Sequence, residues 1–161
     1  KQLMEKNIDN SVDVSSVDMI ELIQGVVDNN CAALTPVPVF TQKVPVQLNL
    51  NADKIANVLY HLISNAQQAT ADDGRVEISL SESSNAAFID IEDTGTGMSA
   101  EFINEKLFTP FVTTKGNAGM GVGAYDAKTY LESIGGSIAV KSQEGHGSQF
   151  RLVLPKSGLT E

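Results

Sequence analysis

Residues 91–98 read IEDTGTGM: a carboxylate ends an apolar alternation, and side chains then disappear at every second position. Ala87, Ile89, Ile91 and Asp93 share one phase of period two, so an extended strand aims the Asp93 carboxylate to the side of its apolar neighbours. A carboxylate buried there is costly unless a donor meets it. That donor is either the protein's own (a backbone N–H, a serine, an arginine) or a ligand's, such as an exocyclic amine. Gly95 and Gly97 permit positive φ and let a flat group approach the backbone, which favours the ligand, although two glycines also suit an ordinary turn. The letters GTGMSA fit a loose dinucleotide fingerprint. That fingerprint needs a parallel strand–helix–strand unit with an acid ending the next strand. Here the strand returns from a hairpin and TTKGNAG lies downstream, so the dinucleotide reading is set aside.

A second constellation is HLISNAQQA, residues 61–69. On a helix, His61 and Asn65 are one turn apart and their side chains are neighbours at the border of an apolar stripe. An edge asparagine is often merely solvated and a lone histidine often merely packed. Against a ligand, an amide oxygen is a suitable hard donor for Mg²⁺, which takes one or two protein oxygens plus waters and phosphates. A third is TPFVTTKGNAGMGVGAYDAK, residues 109–128. Its last glycines open a helix, whose free N–H groups and positive dipole end suit a phosphate, and Lys115 adds a cation. The Walker pattern G-x-x-x-x-G-K-[ST] occurs nowhere, and in isolation this segment reads as a flexible loop.

The elements that must position these groups are legible in outline. Ser15 and Ser16 suit caps for a helix near Val17 to Asn29, with Ile20, Ile23 and Val27 on one stripe. Pro36, Pro38 and Pro45 punctuate short extended pieces, and Val46, Leu48 and Leu50 alternate as a half-buried strand. Asn51 or Asp53 caps the clearest helix, whose stripe is Ile55, Val58, Leu59, Leu62, Ile63, Ala66 and Ala69. A turn at residues 72–74, a hairpin built on Val76, Ile78, Leu80 and AFIDIED, and a short helix capped by Ser99 follow. A glycine-rich loop around 115–121 precedes another helix closed by Gly135 and Gly136, and two strands end the pattern. This predicts an α+β fold in two layers, with helices on one side of a mixed, largely antiparallel sheet.

The whole chain limits the function classes. Its 161 residues, 42% hydrophobic and 19% charged, suit one folded domain with a core. No apolar run reaches the length of a membrane span. The net charge of −9 disfavours nucleic acid as a partner, while a small phosphate ligand screened by a metal ion remains compatible. Cys31, the only cysteine, excludes an internal disulfide and a cysteine-based zinc site and fits a reducing compartment. A chain opening on Lys reads as a piece of a longer protein.

Taken in order, the segments resemble the ATP-binding catalytic domain of sensor histidine kinases, in the superfamily shared with gyrase, the ninety-kilodalton heat-shock chaperone and MutL. HLISNAQQA is similar to the family's N box, DTGTGM to its first glycine box, LFTPFVTTK to its F box, GMGVGA to its second glycine box and GHGSQFRLVLP to the last one. The resemblance runs over residues 46–155, and the terse TTKG has the flavour of PrsK-type and nitrogen-regulation kinases. It implies a two-layer α/β sandwich, the Bergerat ATP-binding fold, with a mixed sheet covered by helices on one face. Residues 15–157 would form the catalytic domain, residues 1–14 the end of an upstream helix or linker, and 158–161 a tail.

The resemblance also implies roles. Asp93 accepts from the adenine amine, and Gly95 and Gly97 make room for the base. Asn65 holds Mg²⁺ against the phosphates. Met98, Phe108, Thr113, Thr114 and Ser148 belong to the nucleotide site, and Gly119, Gly121 and Gly123 present backbone to the phosphates. Lys115 reaches the terminal phosphates from a mobile lid spanning 112–120, and His61, Asn65 and Lys115 form the catalytic set. The implied cofactors are ATP and Mg²⁺. The implied partners are a helical phosphoacceptor domain of the same parent and a response regulator receiver domain, with no nucleic acid. The implied parent is dimeric and membrane-associated, in the bacterial inner membrane, with this domain in the cytoplasm.

Two departures matter. Many such kinases have Asn at the position of His61, although the chemotaxis kinase resembles this chain in having His there. The only histidines are His61 and His146, so the phosphoacceptor lies upstream of Lys1 or on another molecule. The alternatives are a clamp-type ATPase, whose relatives carry a glutamate where His61 stands, and a non-catalytic nucleotide-binding module.

Overall fold

The structure, a computed structural model, describes residues 14–108 and 118–156, and of residues 118–123 the backbone alone. Strand β1 (Val14–Asp18) leads into helix α1 (Met19–Val26), which ends in a wider π-helical turn, Val27–Cys31. The helix expected from Val17 to Asn29 is thus shorter, and its cap is Asp18 rather than Ser15 or Ser16. The Asp18 carboxylate accepts from the Glu21 N–H at 3.2 Å. The two serines are instead held extended because β1 pairs antiparallel with β3 (Gln47–Asn51), Val14 opposite Asn51. The alternation Val46, Leu48, Leu50 is therefore a strand, but of a separate two-stranded ribbon.

The main sheet has five strands in the order β2 (Val39–Lys43), β4 (Val76–Glu82), β5 (Ala86–Asp93), β7 (Gly147–Pro155), β6 (Ser137–Gln143). Only β2 runs parallel to its neighbour; the other pairings are antiparallel, as the alternating sequences with tight connections require. Helix α2 (Ala52–Ala69) is capped by Asn51, whose side chain accepts from the Lys54 N–H at 3.0 Å. Its buried stripe packs against β5 and against α4 (Ala118–Ser133), which also covers β6 and β7. Between them, α3 (Ala100–Phe102) is capped by Ser99 and continues as a π-helical turn, Ile103–Leu107.

The core lies between this helix layer and one face of the sheet. Val76, Ile78, Leu80, Ala87, Ile89, Ile91, Leu152 and Leu154 are all buried there. The mixed two-layer α+β architecture is as the alternation predicts. The last glycines open a helix as expected, but α4 begins earlier, at Ala118, so that Gly119 and Gly121 as well as Gly123 lie inside its first turns. Thr113, Thr114, Lys115 and most of the expected lid fall outside the described residues. At the other end, Gly135 closes the helix at φ 84°, the left-handed conformation expected of a terminating glycine.

Candidate functional site

The last residue of β5 reaches the edge of the helix layer. Asp93 continues the phase of Ala87, Ile89 and Ile91, and its residue is only 8% exposed. Its Oδ1 accepts from the Gly95 N–H at 2.8 Å. Burial pushes the Asp93 carboxyl above its ordinary value, while backbone N–H groups of Gly95 and Ser148 pull the other way. No cation pairs with it among the described residues. The protein thus supplies part of the donor set that the sequence leaves open, and the carboxylate still faces a cleft.

That cleft has a volume of about 310 Å³. It is bounded by α2, by the loop 94–99, and by β7 and its turn. Of the predicted residues, Asn65, Asp93, Gly97, Met98 and Ser148 line it together. Asn65 stands on α2 across from the β5 end. Its Nδ2 is buried and has no hydrogen-bond partner, which is costly unless something else meets it. No group of three or more His, Cys, Asp or Glu side chains among the described residues would hold a metal ion. The orphaned Nδ2 is a donor, so what would meet it is an acceptor such as a phosphate oxygen.

Of the two glycines, one adopts the positive φ that glycine permits. Gly95 does not need positive φ. A Cβ there would lie 2.3 Å from the Ala69 carbonyl oxygen, at the C-terminal end of α2. Gly97 does have φ 72°, and a Cβ on it would lie 2.1 Å from the Gln143 carbonyl oxygen. Both glycines thus clear space for the protein's own backbone, and Gly97 also lines the cleft. The loop can then lie against the end of α2, with Thr96 N–H donating to Ala69 O at 3.0 Å, and against the β6–β7 turn, where Gly145 N–H donates to Thr96 O at 2.7 Å.

Other predicted residues are elsewhere. His61 is exposed on α2, its ring 5.4 Å from that of Tyr60, and does not line the cleft. Helical spacing places it one turn from Asn65, but the turn carries it out of the groove. Phe108 ends the π-helical turn half-buried against the core, outside the cleft lining; Phe102 of α3 occupies the lining instead. The sequence reading also missed Phe150 and Glu144. Phe150 shares the period-two phase of Ser148 and was legible by that rule. Glu144 sits in a turn and enters the site only because the turn folds over Gly97.

Comparison with known proteins places these features in context. Residues 50–158 match the family model described as histidine kinase-, DNA gyrase B-, and HSP90-like ATPase. The sensor histidine kinase ZraS of Escherichia coli strain K12 is 38% identical over 109 residues, covering 68% of this chain and 23% of that protein. The sensor protein SrrB of Staphylococcus aureus is 36% identical, covering 65% of this chain and 18% of that protein. The chain thus spans less than a quarter of the length of these relatives. In fold, it is similar to the catalytic domain of histidine kinase ThkA, with a TM-score of 0.77 at 24% identity over 92% of this chain and 99% of that one. It is also similar to a mycobacterial sensor histidine kinase, MprB, with a TM-score of 0.69 at 20% identity over 88% of this chain and 97% of that one.

Proposed function

The chain belongs to the histidine kinase-, DNA gyrase B- and HSP90-like ATPase family, and on that premise we propose that it binds Mg-ATP and donates the γ-phosphate to a histidine on a separate phosphoacceptor domain in two-component signalling. The observation that carries this reading is a partly met acceptor and an unmet donor lining one cleft. Among the described residues, Asp93 is a buried carboxylate without a cation, and Asn65 is an amide whose Nδ2 has no partner. The first suits the exocyclic amine of adenine. The second is a donor and suits a phosphate oxygen, while the Asn65 Oδ1 would hold Mg²⁺, which when bound neutralises triphosphate charge.

Catalysis of this kind is mostly positioning and charge neutralisation. Met98 and Phe102 would flank the base, Ser148 and Asp93 would read its edge, and Lys115, outside the described residues, would reach the terminal phosphates. His61, exposed one turn from Asn65, faces an incoming partner rather than the nucleotide. A hydrolytic clamp is disfavoured because positions 57 and 61 are Asn and His, so the helix offers no carboxylate base for water there. Residues 15–157 act as one catalytic unit, with 1–14 as a linker or the end of an upstream helix. The parent is a dimeric, membrane-associated kinase with this domain in the cytoplasm, and a receiver domain takes the phosphoryl group onward.

The test is single-turnover transfer from γ-labelled ATP. The chain alone should take up no acid-labile label, and a supplied acceptor domain should restore transfer; label on this chain alone would overturn the assignment of a separate acceptor. His61→Ala should keep ATP affinity within about tenfold and lower transfer about 100-fold. Unchanged transfer in the folded variant would make His61 a packing residue. Steady hydrolysis without an acceptor would favour the clamp, and absent nucleotide binding would favour an interaction module.

A further inference from the structure

Ser142 is a half-buried residue near the end of β6, on the helix-facing phase of Ile138 and Val140. Its hydroxyl sits among three groups. The Met98 N–H donates to Ser142 Oγ at 2.7 Å, the Ser142 hydroxyl donates to the Gly147 carbonyl at 3.0 Å, and Ser148 Oγ lies 2.8 Å away. One hydroxyl has one proton and two lone pairs. Met98 N–H can only give and the Gly147 carbonyl can only take. With the Ser142 proton on Gly147, the Ser148 proton must point at Ser142. What Ser148 has left for the cleft is a lone pair, next to the Asp93 carboxylate, which when ionised also only accepts.

We propose that Ser142 is a positioning residue that fixes the proton sense of this wall, and through it the preference of the cleft for a base with an exocyclic amine. The proposal rests on the nucleotide reading above. Two acceptors side by side match an amine, with its two donors, and reject a carbonyl at the same place. Ser142 also anchors the loop that carries the wall. Further close contacts between loop 94–99 and the β6–β7 turn are made by backbone, among them Gly145 N–H to Thr96 O at 2.7 Å and Gly97 against the Gln143 carbonyl. The Ser142 hydroxyl is the side-chain member of that clip, so one substitution addresses it. The contact joins positions 44 apart in the chain, and no local motif announces it.

The experiment is calorimetry of the full chain with ATP and with the triphosphate of purine riboside, which lacks the 6-amino group. Ser142→Ala frees the Ser148 proton and removes the acceptor of Met98 N–H. It should weaken ATP about tenfold and the amine-free analogue about threefold or less, so their affinity ratio narrows. Ser142→Thr, which keeps the hydroxyl, should restore the ratio. An unchanged ratio in Ser142→Ala, or equal loss for both ligands, would overturn the proposal, as would a narrowed ratio in Ser142→Thr. Should Ser142→Ala not fold, Ser142→Cys keeps the volume with a weak donor and acceptor, and the same narrowing is expected of it. Asp93→Ala is run in parallel. Undiminished ATP binding there would sink the nucleotide reading itself, whereas loss there with an unchanged ratio in Ser142→Ala would remove only the role of Ser142.

Discussion

Asp90 and Asp93 lie on the same strand, an odd number of residues apart, and so on opposite faces of the sheet. Each residue is 8% exposed, so burial does not tell them apart. Their partners do. Asp90 takes a two-pronged guanidinium from Arg151 on β7, Nε to Oδ1 at 2.8 Å and Nη2 to Oδ2 at 3.0 Å, with Gln149 Nε2 at 3.4 Å. Arg151 in turn lies over the Phe88 ring at 4.9 Å. That carboxylate is matched within the sheet. Asp93 has backbone N–H groups and, among the described residues, no cation, and it looks into a cleft. A buried acid that the fold fully pairs is a structural member, whereas one left partly unmet at a cavity is where a ligand's donor has a place to go.

The largest effect expected from this contrast is on binding. Asp93→Ala should cost ATP about 30- to 1000-fold in affinity, as loss of a required buried partner does. Asp90→Ala should stay within about twofold. Calorimetry on both variants checks this, and comparable losses from the two would erase the distinction between the faces.

A smaller effect, in the opposite direction, is expected in stability. Asp90→Ala releases Arg151, whose side chain is 47% exposed and rehydrates readily, so the loss should be only about 1 kcal/mol in urea unfolding. A loss of several kcal/mol would mean that the Asp90 site is a dry ion pair.

The smallest effect concerns pH. Because burial raises the Asp93 carboxyl in the folded chain above its unfolded value, the folded state binds more protons between those two values. Stability contributed by this group therefore falls as pH rises through that window, is fully depressed above the folded value, and recovers below the unfolded one. Asp93→Asn keeps an oxygen for the Gly95 N–H without the charge. It should melt about 2–4 °C above the wild type at neutral pH, with the gap closing in acid. A gap that does not change with pH would mean the charge is not what burial penalises.

Much of this was legible beforehand because it depends on short-range periodicity. The period-two phase of β5 put Asp93 with Ile89 and Ile91, the stripe on α2 set Asn65 at its border, and Asn51 and Ser99 were readable as caps. The first helix was misplaced because β1 is extended only by pairing with β3, a partner that local propensity does not see. Spacing makes His61 and Asn65 neighbours along a helix but does not say which of them a groove encloses, and only Asn65 lines the cleft.

By itself, the sequence determined the element order, the inward phase of Asp93 and the ordered glycine-bearing segments that match a family, all of which are properties of neighbours along the chain. Only the tertiary structure decided which acid would be paired and which left open. The Arg151–Asp90 contact spans 61 positions, and the Ser142–Met98 contact spans 44. Likewise, Gly95 and Gly97 are small because Ala69 and Gln143 carbonyls press against them, which no turn rule states. The physical reason is that alternation fixes the face to which a side chain points, whereas hydrogen-bond partners and steric clearance depend on which distant backbone arrives there.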